Sequence, residues 1–459
     1  MNAGTPHSER YWDQVETLDR EQLAAQQLEA LQRQLVQVGQ RSAFYGDQWA
    51  GLGFEPGDLR SFEDLRALPM VSKADYVRSL DKDPPWGSMA AADPRERRRV
   101  HFSSGTTGRP TPLLWTQHDL DRWADLYARS AYSQGVRDTD VYQCLFGYAW
   151  FVGGLGATAG YERIGATVLP GGSSETERQI DTMFRYGTSA ISGTPSFMLH
   201  LAETAEALGT PLTGSSVSRI QVGGEPGAGV PATRAHIENR WGAKCFDGYG
   251  SLEFQPIAWE CESQQGGHLA EDFTYAEVVD AETHEPVPDG TPGVLVLTHL
   301  DKQATPLVRW WTGDVVVRDS TRCECGRTLA RLPGGVVGRA DDMLVVRGVN
   351  LFPSAVEQVV RRTEGTTGEY LIVLDDDVTD DVTGYLTGIK LRVEVEPGCT
   401  HDVAHELASA VRAELTVRCL VEVAPAGSLP RSTHKSKRVV SCAERAVPPP
   451  HDTGTSTED

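Results

Sequence analysis

Between residue 99 and about residue 250 the chain alternates short apolar runs with helix-length segments, and nothing else in it constrains the fold as strongly. Residues 141–148, 166–169, 189–193, 219–222 and 245–249 read as strands. Helices are expected over 157–164 and 177–186, after Pro195, and near 234–241. Strands separated by helices predict a mostly parallel sheet with helices on its faces. Ahead of this region, residues 19–40 read as a helix, with Leu23, Leu28, Leu31 and Leu35 on one stripe and Asp19 with Gln22 as a cap-like pair. After Gly266 the pattern changes. Residues 275–280 and 293–299 alternate in polarity and are joined through Pro288, Asp289 and Gly290, which predicts an antiparallel or barrel-like section. A third change comes near Gly338. Ser354 is a candidate N-cap for a helix to Arg362, strands are expected over 369–374 and 388–395, and a helix over 402–415. The expected class is α/β. It has a large N-terminal domain (1–338) with mixed, mainly parallel sheets and a barrel-like section, a small mobile α+β C-terminal domain (339–445), and a disordered tail (446–459).

The length of 459 residues suits two or three domains. A formal charge of −21 argues against a protein that coats nucleic acid or an anionic membrane. It does not argue against a nucleotide in a local pocket, where backbone N–H groups outweigh net charge. The polar start from Met1 to Arg10 lacks the apolar core of a secretory signal, and no apolar run reaches the ~18 residues of a membrane span, so the cytoplasm is the expected location. Eight cysteines in such a length are no disulfide framework. Cys144, Cys245, Cys399, Cys419 and Cys442 read as core or surface thiols. Cys261, His268, Cys323 and Cys325 form a different set: three thiols and one imidazole bracket the antiparallel section and suit tetrahedral zinc. Four protein ligands leave no open position, so such a metal would be structural. The same residues also read as free thiols and a turn histidine.

The strongest local signal is Ser103-Ser104-Gly105-Thr106-Thr107-Gly108-Arg109-Pro110. Glycines let the backbone approach a phosphate closely, and hydroxyls and successive N–H groups donate to its oxygens. From composition alone a flexible surface loop is the better reading. The order is not that of a Walker loop. Gly154-x-Gly156 followed by Gly160 is not a dinucleotide fingerprint, and no G-x-S-x-G elbow occurs. Four more segments follow in order: Asp247-Gly248-Tyr249-Gly250-Ser251-Leu252-Glu253, Trp311-Thr312-Gly313-Asp314, Gly338-Arg339-Ala340-Asp341-Asp342, and Leu429-Pro430-Arg431-Ser432-Thr433-His434-Lys435.

Together, in this order and spacing, these segments resemble the acyl-adenylate-forming ligases, and most closely their phenylacetate–CoA ligase branch. The resemblance runs from about residue 11 to residue 440. It implies a two-step reaction in which ATP and a carboxylate give an acyl-adenylate and pyrophosphate, after which a thiol, usually that of CoA, displaces AMP. It implies that Ser103, Ser104, Gly105, Thr106, Thr107 and Gly108 hold the β- and γ-phosphates. Tyr249 would pack on adenine beside Gly250, and Glu253 would hold Mg²⁺. Asp314 and Arg339 would reach the ribose, and Lys435 would neutralise charge between carboxylate and α-phosphate. Asp341 matches the family's hinge. Gly224, Glu225 and Pro226 would border the nucleotide and acyl groups, with Tyr148, Trp150, Phe151 and Gly153 at the acyl pocket, where aromatic rings suit an aryl acid. ATP, Mg²⁺, CoA and structural zinc are the implied cofactors. The sequence departs from the family at Leu252, where Thr or Ser is usual, at His434, where Gly is usual, and at Phe102, where a small residue is usual. Other readings are an adenylating enzyme serving a carrier protein or an amine, activation of another oxyanion such as nitrite, and a catalytically silent nucleotide-binding relative. A homodimer is compatible with the first reading.

Overall fold

The computed structural model describes residues 6–103, 110–172, 175–340, 344–347, 349–380, 385–429 and 438–441. The chain divides into two compact units, Met1–Asp341 and Asp342–Asp459.

In the first unit, β1 (Arg99–Phe102) and β2 (Pro112–Trp115) form an antiparallel pair. The strand–helix alternation then produces β3 (Val141–Cys144), β4 (Thr167–Leu169), β5 (Ala190–Gly193), β6 (Arg219–Gly223) and β7 (Lys244–Tyr249), all parallel. Short antiparallel strands extend this sheet: β8 (Ala258–Trp259) and β9 (Gly267–Leu269), later joined by a strand from residues 331–332. Their order across the eight-stranded sheet is 331–332, β9, β8, β7, β6, β5, β3, β4. Both faces are covered, so central strands such as β5 are buried throughout. Tyr142, Cys144 and Ala190 join the core on one face, with Trp123, Tyr127 and Tyr161. Leu145, Ile191, Ile220 and Val222 join the other, with Met183, Met198, Leu201 and Trp241.

Two glycines excluded as a nucleotide fingerprint have a packing role. Helix Gly153–Ile164 crosses helix Gln117–Ser133 so closely that a Cβ on Gly156 would lie 2.4 Å from the Trp123 ring, and one on Gly160 2.4 Å from Tyr127 Cβ. The expected strand 141–148 stops at Cys144. Leu145 N–H still reaches Ser192 O at 2.8 Å, but β5 ends at Gly193 and the ladder has no further partner. Residues 145–152 therefore leave the sheet as a loop.

The expected barrel-like section is an open sheet. β10 (Thr274–Val279), β11 (Pro292–His299), β12 (Trp310–Val317) and, after β13 (the pair Arg331–Leu332), β14 (Val336–Arg339) form four antiparallel strands in chain order, with β10 and β14 at the edges. Four strands are too few to close around an interior.

The second unit carries the hairpin β15 (Leu344–Val346) and β16 (Val349–Leu351). Its main sheet has β17 (Thr366–Leu374), β18 (Ile389–Val395), β19 (Cys419–Pro425) and β20 (Val439–Ser441), in the order β19, β18, β17, β20. Helices Pro353–Arg362 and Val403–Leu415 bury Val356, Val360, Leu407 and Val411 in one core with Ile372 and Leu391. Pro353 occupies the first helical position and Phe352 the N-cap, which displaces Ser354 from that role.

Candidate active site

β3, β5, β6 and β7 are parallel, so their carboxyl ends open on one edge. β4 lies on one side of β3 and β5 on the other. At such a reversal a crevice forms outside the strand ends, and ligands bind there in open α/β sheets. Every segment singled out between residues 145 and 253 leaves the sheet on this edge. Loop 145–152 follows β3, Gly224-Glu225-Pro226 follows β6, and Gly250 to Glu253 follows β7. Gly224 has φ +89°, and the carboxylate of Glu225 accepts the Ser196 N–H at 2.7 Å at the start of helix Pro195–Ala207.

β12 and β14 place Asp314 directly opposite Arg339. The guanidinium meets Asp314 Oδ1 at 2.9 Å, and the Tyr249 hydroxyl donates to Oδ2. The backbone N–H of Asp314 donates to Thr312 Oγ1 at 3.0 Å, which fixes the turn of chain before it. Burial, and then the adjacent Asp314 charge, push the Tyr249 phenol well above its ordinary pKa, so it stays a donor at neutral pH. One carboxylate is thus held between a phenol and a guanidinium, beside an aromatic ring.

Glu253 is 8% exposed. Its neighbours Leu252 and Phe254 are buried in the main core, and Phe254 stacks on His299 with ring centroids 3.9 Å apart. Ser251 N–H donates to Phe254 O at 2.9 Å, and Phe254 N–H donates to Ser251 Oγ at 3.1 Å. This tight turn aims the Glu253 carboxylate at Lys73, whose Nζ lies 2.5 Å from Oε1. The same ammonium donates to Thr111 Oγ1 at 2.7 Å, and Thr111 Oγ1 lies 3.0 Å from Ser103 Oγ. Lys73 is absent from the sequence reading. Its one local signal is position: it opens helix Lys73–Lys82, where the helix dipole disfavours a cation. Ser104, Gly105, Thr106, Thr107 and Gly108 lie outside the described residues, as do Asp341 and Lys435.

In the loop after β3, Tyr148 and Phe151 are half-buried, and the Tyr148 hydroxyl lies 2.8 Å from Thr158 Oγ1. A Cβ on Gly153 would sit 3.2 Å from the Phe146 ring. Trp150 stands apart from these. It is 68% exposed, has φ +60°, and meets Phe102 edge-on at 5.2 Å.

Cys261, His268, Cys323 and Cys325 are all buried, and their ligand atoms lie within 4.8 Å of one another. Cys261 and Cys323 sulfurs are 3.9 Å apart, and Cys325 Sγ is 3.6 Å from His268 Nε2. Zinc–sulfur bonds of about 2.3 Å give a tetrahedron with edges of about 3.8 Å, so the set fits zinc. His268 Nδ1 lies 3.3 Å from Leu329 O, which orients Nε2 toward the sulfurs. The segment around Cys325 also holds the N-terminus. Tyr11 donates to Cys325 O at 3.1 Å, buried Arg327 pairs with buried Glu16, and Thr328 N–H reaches Glu16 O at 3.0 Å.

Residues 28–299 match the AMP-binding enzyme family, and residues 348–442 match the AMP-binding enzyme C-terminal domain. The chain is 38% identical over 403 residues to a phenylacetate-coenzyme A ligase of Thermus thermophilus, covering 87% of each. It is 35% identical over 441 residues to that of Escherichia coli, covering 93% of this chain and 96% of the relative. A crystal structure of 2-hydroxyisobutyryl-CoA ligase in the postadenylation state aligns with TM-score 0.89 at 30% identity, covering 96% of this chain and 94% of the other. Strand-edge geometry, two family matches and full-length relatives agree: the chain belongs to the AMP-binding enzyme family, in its phenylacetate–coenzyme A ligase-like branch of AMP-forming acid–thiol ligases.

Proposed function

We propose that this protein adenylates an aromatic carboxylic acid with ATP and passes the acyl group to the thiol of CoA, releasing pyrophosphate and then AMP. The observation that carries the reading is the Tyr249–Asp314–Arg339 set, in which Tyr249 stands at the carboxyl end of β7, the strand that leads on to Glu253. A fixed carboxylate is an acceptor for two vicinal ribose hydroxyls, and the Tyr249 ring is a flat surface for a purine. Ser103 to Gly108 would receive the outer phosphates. Glu253 would hold Mg²⁺, whose contribution is to neutralise phosphate charge. In the first step a carboxylate oxygen of the acid bonds to the α-phosphorus and the bond to the bridging oxygen breaks, so pyrophosphate leaves. Lys435 would lie where both reactants are anionic, and its charge offsets their repulsion. In the second step the CoA sulfur bonds to the acyl carbon and AMP leaves with the electron pair. Asp341 would be the hinge about which the 339–445 domain turns between the steps. Phe146, Tyr148 and Phe151 favour an aryl acid through ring contacts. Cys261, His268, Cys323 and Cys325 would hold zinc, which would tie the two ends of the β10–β12 section together.

The test is pyrophosphate release from ATP across a panel of aryl acids, with and without CoA, with products read by mass spectrometry. Release that depends on an aryl acid, with acyl-CoA formed when CoA is present, is the expected result. Acyl-adenylate that persists under saturating CoA would reject CoA as acceptor.

A further inference from the structure

Lys73 and Glu253 are 180 positions apart in the chain and meet at 2.5 Å. The lysine side chain is 39% exposed and the glutamate side chain 10%. A carboxylate this enclosed needs a counter-cation, and the ammonium supplies it. The lysine also stands at the first position of a helix whose dipole disfavours positive charge, so local helix stability does not explain it. Its second partner is Thr111 Oγ1 at 2.7 Å, and the next oxygen along is Ser103 Oγ, 3.0 Å beyond. The ammonium therefore has a continuous polar path from Glu253 Oε1 to the first residue of the phosphate loop.

We infer that Lys73 is a positioning residue that exchanges with the divalent cation. It neutralises Glu253 while the nucleotide site is empty, and yields that oxygen to Mg²⁺ when the metal–nucleotide complex arrives. The inference rests on the reading of Glu253 as a metal ligand. A divalent cation on Oε1 occupies the space the ammonium holds, so both cannot stay. The released ammonium moves along Thr111 toward Ser103, where incoming phosphate charge replaces the carboxylate as its counter-ion. A monovalent cation at Glu253 is exchanged for a divalent one, and the site never holds a bare carboxylate.

Manganese is the probe, followed by loss of the free Mn²⁺ electron paramagnetic resonance signal without nucleotide. In Lys73→Gln the carboxylate loses its built-in competitor, so Mn²⁺ should bind on the order of thirtyfold tighter, the size of the repulsion between a divalent and a monovalent cation at 4 Å in water-like surroundings. The gain should vanish in Lys73→Gln/Glu253→Gln. In the same preparations, kcat for ATP–pyrophosphate exchange at saturating MgATP should fall on the order of tenfold, with partial recovery in Lys73→Arg. A merely structural lysine would weaken both quantities together. Unchanged or weaker Mn²⁺ binding in a Lys73→Gln protein of wild-type thermal stability overturns the exchange. Absence of exchange activity in the wild type with every acid, while the manganese result stands, overturns the adenylation reading instead.

Discussion

Asp314 meets Tyr249 through one oxygen and Arg339 through the other, so its orientation is fixed before any nucleotide arrives. Asp314→Asn keeps the shape but loses the charge and half of the acceptor capacity. It should raise KM for ATP about tenfold or more, since hydrogen bonds to charged groups are worth about 1.5–3 kcal/mol, with little change in KM for the acid. Steady-state kinetics with each substrate varied will check the split. Lys435→Ala should slow adenylation by about 10²–10³ in rate, and the same change at Lys437, the competing lysine two positions on, should not; equal pyrophosphate release by both variants rejects the assignment. A third residue reports on stability instead. His101 is 2% exposed, and burial, then the Arg99 charge, push its imidazole down to about 4. The unfolded chain binds this proton near pH 6.5, so unfolding takes up a proton between those values. The stability tied to the neutral imidazole is complete above pH 6.5 and is lost as the pH falls toward 4. His101→Phe keeps an aromatic edge toward Trp115 and Trp123. Its melting temperature should therefore fall less steeply between pH 7 and 4 than that of the wild type, as calorimetry at stepped pH will show.

At the scale of elements, the Cys₃His cluster joins β8–β9 to the segment between β12 and β13, and that segment in turn holds residues 11–18. Purified protein should carry about one zinc per chain. Cys323→Ser should lower the melting temperature more than it lowers the specific activity of the folded fraction. Protein prepared without chelator that contains no zinc by elemental analysis would reject the metal. The grouping of Cys261, His268, Cys323 and Cys325 was legible from residue type and spacing, as was the parallel sheet, because strand–helix alternation leaves few other arrangements. Other features depend on partners that are distant in the sequence. The apolar run 141–148 continues past Cys144 with no local break, and only the end of neighbouring β5 stops the ladder. The strands after Gly266 alternate as barrel strands would, but their number keeps the sheet open. Gly156 and Gly160 need a second helix before their role is visible. Tyr249 and Asp314 entered through family resemblance, and only the fold shows them bonded. Lys73 had no motif at all, because the carboxylate that explains it comes from β7's far end.

Across the whole molecule, the two compact units divide after Asp341, the residue proposed as the hinge. Asp341→Pro holds φ near −65° and hinders rotation there. ATP–pyrophosphate exchange should survive in this variant while acyl-CoA formation is blocked. Loss of both activities in a protein of unchanged melting temperature would reject the hinge. The larger unit also has an unusual closure. Glu16 pairs with Arg327, 311 positions later, and Val15 and Leu23 share a small apolar cluster with Leu329. A ribosome adding ~5–20 residues per second takes roughly 15–60 s to travel between those partners. Through that interval Glu16 lacks its cation and Val15 and Leu23 lack the Leu329 side of their cluster, so these residues stay open to chaperones or proteases. Residues 15–23 are thus among the last of the unit to be fully seated, and a chain that stopped before residue 327 would leave Glu16, Val15 and Leu23 without these partners.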